Sequence, residues 1–157
     1  MLTHFNLIAI LLATLAFMIS GSLLYNPIHA WGRFWAKESG MLNKESHHMS
    51  AGDVVFTFGG TAVGGLLLAF TLGQVTYWFN KFDHDGWMMT SLQVAFLLWL
   101  GVFAVATFVN AAYAGQSKKL IGLHLLNGAI ELVIMGIIIG LFPVVGCLLY
   151  TSDAADE

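Results

Sequence analysis

Charged side chains are absent from four long stretches of this chain, and that distribution constrains the fold more than any other feature of the sequence. The uncharged stretches are residues 1–32, 54–80, 86–117 and, except for Glu131, 120–152. A membrane-spanning helix needs roughly 20 consecutive apolar residues, each adding about 1.5 Å along the helix axis. The sequence therefore predicts four spanning helices, near residues 5–25, 54–79, 88–114 and 120–145.

The overall composition agrees with a membrane environment. Hydrophobic residues make up 58% of the chain and charged residues only 10%, whereas a typical soluble domain carries about 25% charged residues. The length of 157 residues suits one compact domain. We therefore predict an all-α membrane protein in which residues 1–146 form a single bundle of four transmembrane helices within the lipid bilayer.

The loop after the first predicted span has the pattern of a short interfacial helix. Trp31, Phe34 and Trp35 recur at helical spacing and share one face, while Arg33 and Lys37 lie one turn apart on another face. A helix with this division of residues lies in the headgroup plane, with its aromatic face toward the acyl chains. We predict that these five residues anchor loop 1 at the membrane surface rather than form a binding surface.

Two glycine pairs with Gly-xxx-Gly spacing occur inside the predicted spans. Gly60 and Gly64 lie in the second span, and Gly136 and Gly140 lie in the fourth. Small residues one turn apart let two helix backbones approach closely in a membrane. We predict a helix-packing role for both pairs, and either pair could supply the contact face of a homo-oligomer.

The basic residues are distributed unequally between the two sides of the membrane. Loops 1 and 3, which lie on the same side of a four-span protein, carry five of the six Lys and Arg residues, and the opposite side has only Lys81. Lys and Arg are enriched in the cytoplasmic loops of membrane proteins. We predict that loops 1 and 3 face the cytoplasm.

Glu131 is the most informative single residue because it lies near the middle of the fourth span. Asn127 and His124 precede it by about one and two helical turns, so the three side chains share one face. A charged group at the bilayer centre costs about 2.5–3.5 kcal/mol on the milder insertion scale. Two interpretations follow: a proton or cation site with His124 near its entrance, or a neutral, hydrogen-bonded residue that orients the helices.

Six histidines raise the question of a metal site. His47 and His48 are adjacent, and residues 83–85 form the compact cluster Asp-His-Asp. Metal sites need three or four converging ligands, adjacent histidines point in different directions, and the two clusters fall on opposite sides of the predicted bundle. We expect solvated loop residues here, with no metal site and no cofactor.

The motifs of the common enzyme classes are absent from the sequence. There is no glycine-rich phosphate loop, no His-Glu-x-x-His pair and no nucleophile elbow. The basic residues are also too few and too scattered for nucleic-acid binding. An enzyme is therefore the less favoured class, and a lipid or quinone site near His29, Arg33 and Lys37 is kept as a weaker alternative.

The C-terminal segment differs in character from the rest of the chain. Cys147–Glu157 has the sequence Cys-Leu-Leu-Tyr-Thr-Ser-Asp-Ala-Ala-Asp-Glu, which resembles the in-frame translation of a sequencing-library adapter. We expect this tail to be non-native. The only cysteine, Cys147, would then be part of this tail and not of the native protein.

The end of the first span and the start of loop 1 carry a recognisable pattern. Gly21-Ser22-Leu23-Leu24-Tyr25-Asn26-Pro27 is followed by Trp31-Gly32-Arg33-Phe34-Trp35 and then by Lys37-Glu38-Ser39-Gly40. This pattern resembles the bacterial membrane-protein family known as domain of unknown function 1761, where Trp, Ser and Lys stand in place of Leu24, Asn26 and Arg33. The resemblance covers about residues 1–146. It implies a four-span protein of the bacterial inner membrane and no particular activity.

Three functions remain open on the sequence alone. The first is a membrane protein that transports or senses a small solute or ion, and a polar cavity reaching Glu131 would favour it. The second is an accessory subunit of a larger membrane complex, which predicts an exposed stripe of small residues on a lipid-facing helix. The third and weakest is the membrane-embedded enzyme.

Overall fold

The computed structural model describes residues 6–41, 50–82 and 86–144, and every regular element within these ranges is helical. In chain order the elements are α1 (Leu7–Leu24), α2 (Ala30–Glu38), α3 (Ala51–Asn80), α4 (Trp87–Leu98), a π-helical segment (Trp99–Ala104), α5 (Val105–Tyr113) and α6 (Lys118–Leu141). The π-helical segment joins α4 and α5 into one continuous helix. The predicted tail, 147–157, lies outside the described residues.

Four helical units are long and apolar enough to cross a membrane, namely α1, α3, the continuous helix Trp87–Tyr113 and α6. The remaining helix, α2, has nine residues and lies in the loop between the first and second spans. The predicted fold class, an all-α membrane bundle of four spans with a short helix in loop 1, is therefore confirmed.

Short polar side chains begin three of the spans. The Asn6 side chain accepts hydrogen bonds at the start of α1, and Ser117 accepts one from the Leu120 backbone N–H at the start of α6. At the start of α3, Ser50 and Asp53 form a reciprocal capping box. These caps satisfy backbone N–H groups that have no partner within the helix, so the helix starts are determined by local sequence.

The tightly packed part of the bundle lies at the end away from loop 1. It combines the first turns of α1, the last turns of α3 and α6, and the first turns of α4. Its buried apolar core consists of Ile10, Ala13, Ala69, Leu72, Val94, Ala95, Met135 and Ile139. Three of these eight side chains are alanine methyl groups, so the helices approach closely, as van der Waals packing in lipid requires.

Direct contacts bind α4 to α6 in this packed half. The Trp87 indole N–H donates to the Ile139 carbonyl over 2.8 Å, and the Ser91 hydroxyl donates to the Gly136 carbonyl over 2.9 Å. A methyl group at Gly136 would lie 3.0 Å from the Ala95 side chain, and one at Gly140 would lie 2.5 Å from the Ser91 Oγ. This glycine pair therefore lies directly against α4.

The half of the bundle nearest loop 1 is open. Every residue from Ala51 to Thr61 on α3 is exposed, and the first buried position, Gly65, lies against the Phe17 ring. Added methyl groups at Gly60 and Gly64 would meet no atom of the described chain within 4 Å. A gap of about 590 Å³ separates α3 from α5. Gly64 lines this gap, so the pair Gly60 and Gly64 has no helix of the described chain packed against it.

The π-helical segment in the third span was not predicted from the sequence. Trp99 at its start donates its indole N–H to the Leu125 carbonyl over 3.0 Å, and the Phe103 ring lies against Gly128, where even a methyl group would overlap it. A π-helical turn contains an extra residue and shifts the side chains that follow. The segment thereby places two aromatic side chains against α6.

Candidate functional site

Glu131 lies deep within the bundle and faces α1. At 1.5 Å per residue it is about 20 Å from the start of α6 and about 15 Å from its end. The residue is only 6% exposed. A methyl group at Gly21 on α1 would lie 3.3 Å from the Glu131 Oε1, so the missing side chain leaves room for the carboxylate. Within the described part of the chain, the carboxylate forms no hydrogen bond or ion pair.

The carboxylate lines a crevice of about 390 Å³ between α1, the exposed part of α3, the π-helical segment and α6. The other walls are mostly aromatic or hydroxyl-bearing. The lining residues are Phe17, Met18, Gly21, Ser22, Tyr25, Thr57, Phe58, Thr61, Phe103 and Glu131. Because Thr57, Phe58 and Thr61 belong to the open half of α3, the crevice reaches the outer surface of the bundle.

Asn127 lies one turn nearer to loop 1 on the same face of α6 and is fully buried. Its Oδ1 accepts a hydrogen bond of 2.8 Å from the Trp31 indole N–H on α2. Its Nδ2 has no hydrogen-bond partner in the described ranges. Asn127 therefore connects α2 to α6 and has an unused donor next to the turn that carries Glu131.

His124 lies a further turn toward loop 1. Its Nδ1 is 3.3 Å from the Tyr25 hydroxyl, and Tyr25 also makes an edge-to-face contact with Trp35 at a centroid distance of 5.1 Å. A phenol is ordinarily protonated at neutral pH, so Tyr25 can donate a hydrogen bond to the imidazole.

The predicted anchor residues of α2 divide between two environments. Arg33 and Lys37 are exposed, Phe34 is 40% exposed, and Trp31 is 36% exposed although its indole N–H is bonded to Asn127. Trp35 is half-buried against Tyr25. Trp31 thus contacts the polar α6 face directly, whereas Trp35 contacts Tyr25 at the end of α1.

Gly32 determines how closely α2 approaches the end of α1. It is buried, and a methyl group at this position would overlap the backbone carbonyl of Asn26. Asn26 itself closes the turn, since its Oδ1 accepts a hydrogen bond of 2.9 Å from the Ile28 backbone N–H. A residue with a side chain at position 32 would displace α2 from the end of α1.

The structure brings together the three predicted residues of the α6 face and adds partners that the sequence analysis missed. The additions from α1 are Phe17, Gly21 and Tyr25, whose spacing of four places them along one helix face. That spacing, visible in the sequence, indicates that the three residues share the helix face that lines the crevice. Nothing in the sequence indicated the π-helical segment that places Phe103 in the crevice wall.

No group of three or more potential metal ligands occurs among the residues that the structure describes. His47, His48 and the cluster at 83–85 lie outside those residues. The site described above has one carboxylate, one carboxamide, one phenol and one imidazole. These groups can bind a cation or exchange protons, and they form a line from loop 1 to the middle of the bundle.

Comparison with known proteins gives one match. No curated protein matches the chain, and no solved structure matches it. The family described as "Protein of unknown function (DUF1761)" matches residues 8–140, which include the four spans except for the first residue of α1 and the last of α6, and also α2 and the crevice. The predicted resemblance is therefore confirmed, and the chain belongs to the DUF1761 family.

Proposed function

We propose that this membrane protein binds a small solute or an ion in the crevice at Glu131 and transports or senses it. One observation carries the proposal, namely a buried carboxylate that has no partner among the described residues and lines an open crevice. The multi-pass architecture supports it, since the crevice begins near loop 1 and reaches the middle of a spanning helix.

The lack of a partner for Glu131 favours a binding role over a structural one. A carboxylate that only orients helices would gain most from hydrogen-bond donors on the neighbouring helix, because an unpaired charge in an apolar medium is costly. In the described part of the chain no such donor is bonded to the Glu131 carboxylate, and Asn127, whose Nδ2 is also unpaired there, does not line the crevice. A bound cation, a proton or water would satisfy the carboxylate.

The crevice lies in the half of the bundle nearest loop 1. We propose that the side carrying loops 1 and 3 is cytoplasmic, on the basis of the excess of Lys and Arg in those loops. Tyr25 and His124 would then lie between the cytoplasm and Glu131. A solute or proton entering from the cytoplasm would meet this pair before it reaches the carboxylate.

The test is proton and cation flux in proteoliposomes that contain the purified protein, compared with the variant Glu131→Gln. We expect flux in the wild type and its loss in the variant, because the amide keeps the shape but cannot carry the charge or the titrating proton. Glu38→Gln is the matched control, since Glu38 lies outside the crevice and accepts a hydrogen bond from Ser117 that an amide oxygen can also accept.

Equal flux in the wild type and Glu131→Gln would contradict the proposal. Retained flux in both glutamine variants would place the pathway elsewhere in the protein. The variants must show the same helix content by circular dichroism and the same elution volume as the wild type. A loss of flux can then be assigned to the side chain and not to unfolding.

The alternative role, an accessory subunit of a larger complex, has one supporting observation. Gly60 and Gly64 lie on the exposed half of α3, where an added methyl group would meet no described atom. Small residues of this spacing favour contact with another helix. This role predicts that Gly60→Leu releases the protein from a detergent-solubilised complex, whereas Glu131→Gln leaves the complex intact.

A further inference from the structure

We infer that the ligand of the crevice is a small organic cation whose ammonium group lies between the Glu131 carboxylate and an aromatic wall. This wall consists of Phe17, Tyr25, Phe58 and Phe103. The inference rests on the proposed function, because it names the chemical class of the solute that the same crevice binds.

The charge of the crevice selects for a cation. Among the described lining residues Glu131 is the only charged side chain, and none is Lys or Arg. The nearest Lys residues of the same helix, Lys118 and Lys119, lie about 18 Å or more away along its axis at 1.5 Å per residue. Because the surroundings are apolar, this single negative charge is weakly screened and disfavours anions.

The chemistry of the walls favours an organic ammonium over a hydrated metal ion. Calcium takes six to eight oxygen ligands, and magnesium requires near-octahedral oxygen coordination. The crevice offers one carboxylate and the single hydroxyl groups of Ser22, Tyr25, Thr57 and Thr61, spread over two helices, and no second carboxylate to balance a divalent charge. Four aromatic rings can instead stabilise an ammonium group through cation–π attraction.

The size of the crevice agrees with this class of ligand. Its volume of about 390 Å³ falls within the roughly 300–1,000 Å³ of typical small-molecule sites and greatly exceeds the space that a bare ion needs. Gly21 and Gly128 allow this shape, since a methyl group at Gly21 would crowd the Glu131 carboxylate and one at Gly128 would displace Phe103. The ligand would therefore have several heavy atoms around its charge.

The test compares a cation with its uncharged analogue of the same shape. Choline and 3,3-dimethylbutan-1-ol are titrated by calorimetry into the full-length protein in lipid nanodiscs, with methylammonium and tetramethylammonium as smaller probes. We expect saturable binding of at least one ammonium probe, at least tenfold weaker binding of the alcohol than of choline, and loss of ammonium binding in Glu131→Gln.

A matched pair of variants tests the aromatic wall separately from the charge. Phe58 lines the crevice, whereas Phe56 on the same helix is 83% exposed and does not line it. We expect Phe58→Leu to weaken ammonium binding about 3- to 10-fold, which corresponds to about 0.6–1.4 kcal/mol and is within the usual cation–π range. Phe56→Leu should bind as the wild type does. Because both side chains are exposed, neither change should affect folding.

The outcomes separate this inference from the proposed function. One outcome is flux of protons or inorganic cations that depends on Glu131, without binding of any ammonium probe. It would overturn the inference that the ligand is an organic cation, but it would leave the proposed function standing. Equal binding of choline and the alcohol, or equal effects of Phe58→Leu and Phe56→Leu, would also overturn the inference. Absence of both flux and binding would overturn the two together.

Discussion

The polar residues on the inner face of α6 differ in how fully their hydrogen bonds are satisfied. Asn127 accepts from Trp31 and has a free donor, His124 is within hydrogen-bond distance of Tyr25, and Glu131 has no partner in the described part of the chain. The number of hydrogen bonds that these side chains form within the protein therefore decreases from loop 1 toward Glu131. This gradient is the arrangement expected of a site that supports a structural contact at one end and leaves the other end for a ligand.

The bond between Trp31 and Asn127 gives a prediction at the residue scale. It joins α2 to α6 at a fully buried amide, and hydrogen bonds between membrane helices contribute about 0.6 kcal/mol on average, with a maximum near 1.7. We expect a coupling energy of about 1 kcal/mol between Trp31→Phe and Asn127→Ala. The measurement is a double-mutant cycle on the free energy of unfolding in mixed detergent micelles.

The pair Trp35→Phe and Asn127→Ala provides the control for this cycle. Trp35 is on the same helix but contacts Tyr25, so we expect a smaller coupling than for Trp31. A coupling near zero for Trp31 would show that α2 is held against α6 by packing alone.

The two glycine pairs behave differently at the scale of helices. Gly136 and Gly140 lie against α4, whereas Gly60 and Gly64 lie on the open half of α3. In lipid there is no hydrophobic force between helices, so close contact depends on shape and on polar groups. The same Gly-xxx-Gly spacing is therefore packed against a helix in one pair and left open in the other. The presence or absence of a neighbouring helix is the difference.

This difference predicts opposite responses to the same substitution. We expect Gly140→Ala to reduce the free energy of unfolding by about 1–3 kcal/mol, because the added methyl group would overlap Ser91 and Met88. Gly60→Ala should leave stability unchanged or raise it by up to about 1 kcal/mol, since alanine restricts the unfolded chain more than glycine does. Both values are measured by unfolding in mixed micelles.

A substantial loss of stability in Gly60→Ala would contradict this assignment. It would indicate that the exposed half of α3 contacts another molecule under the conditions of the measurement. Repeating the unfolding at several protein concentrations would then separate contact between copies from contact within one copy.

At the scale of the whole molecule, the bundle has a packed half and an open half. The packed half contains the buried core and the hydrogen bonds between α4 and α6, and the open half contains α2, the crevice and the exposed start of α3. The crevice therefore lies in the loosely packed half, on the side of Glu131 nearest loop 1.

The orientation of this open half can be tested by cysteine labelling. In a chain with Cys147→Ser, Gln116→Cys places a thiol in loop 3 and Phe82→Cys places one on the opposite side, and both positions are exposed. If loops 1 and 3 face the cytoplasm, a membrane-impermeant maleimide should label position 82 in intact cells and position 116 only after lysis. The reverse pattern would move the crevice opening to the other side.

The sequence by itself determined the membrane class, the four spans, the helix in loop 1 and the shared face of His124, Asn127 and Glu131. These features are local, because lipid requires each segment to satisfy its own backbone hydrogen bonds and to have a minimum apolar length. Helical periodicity then determines which side chains share a face. The pattern in loop 1 was also enough to predict the family.

Only the tertiary structure decided which glycine pair packs, where Trp31 directs its indole, and that Glu131 lines a crevice with no partner from the described segments. Contacts such as those of Trp31 with Asn127 and of Tyr25 with His124 join residues that are 96 and 99 positions apart. Such contacts depend on the crossing and separation of helices. The physical reason is that many packings of four apolar helices satisfy the same local constraints, and the fit of side chains between helices selects one of them.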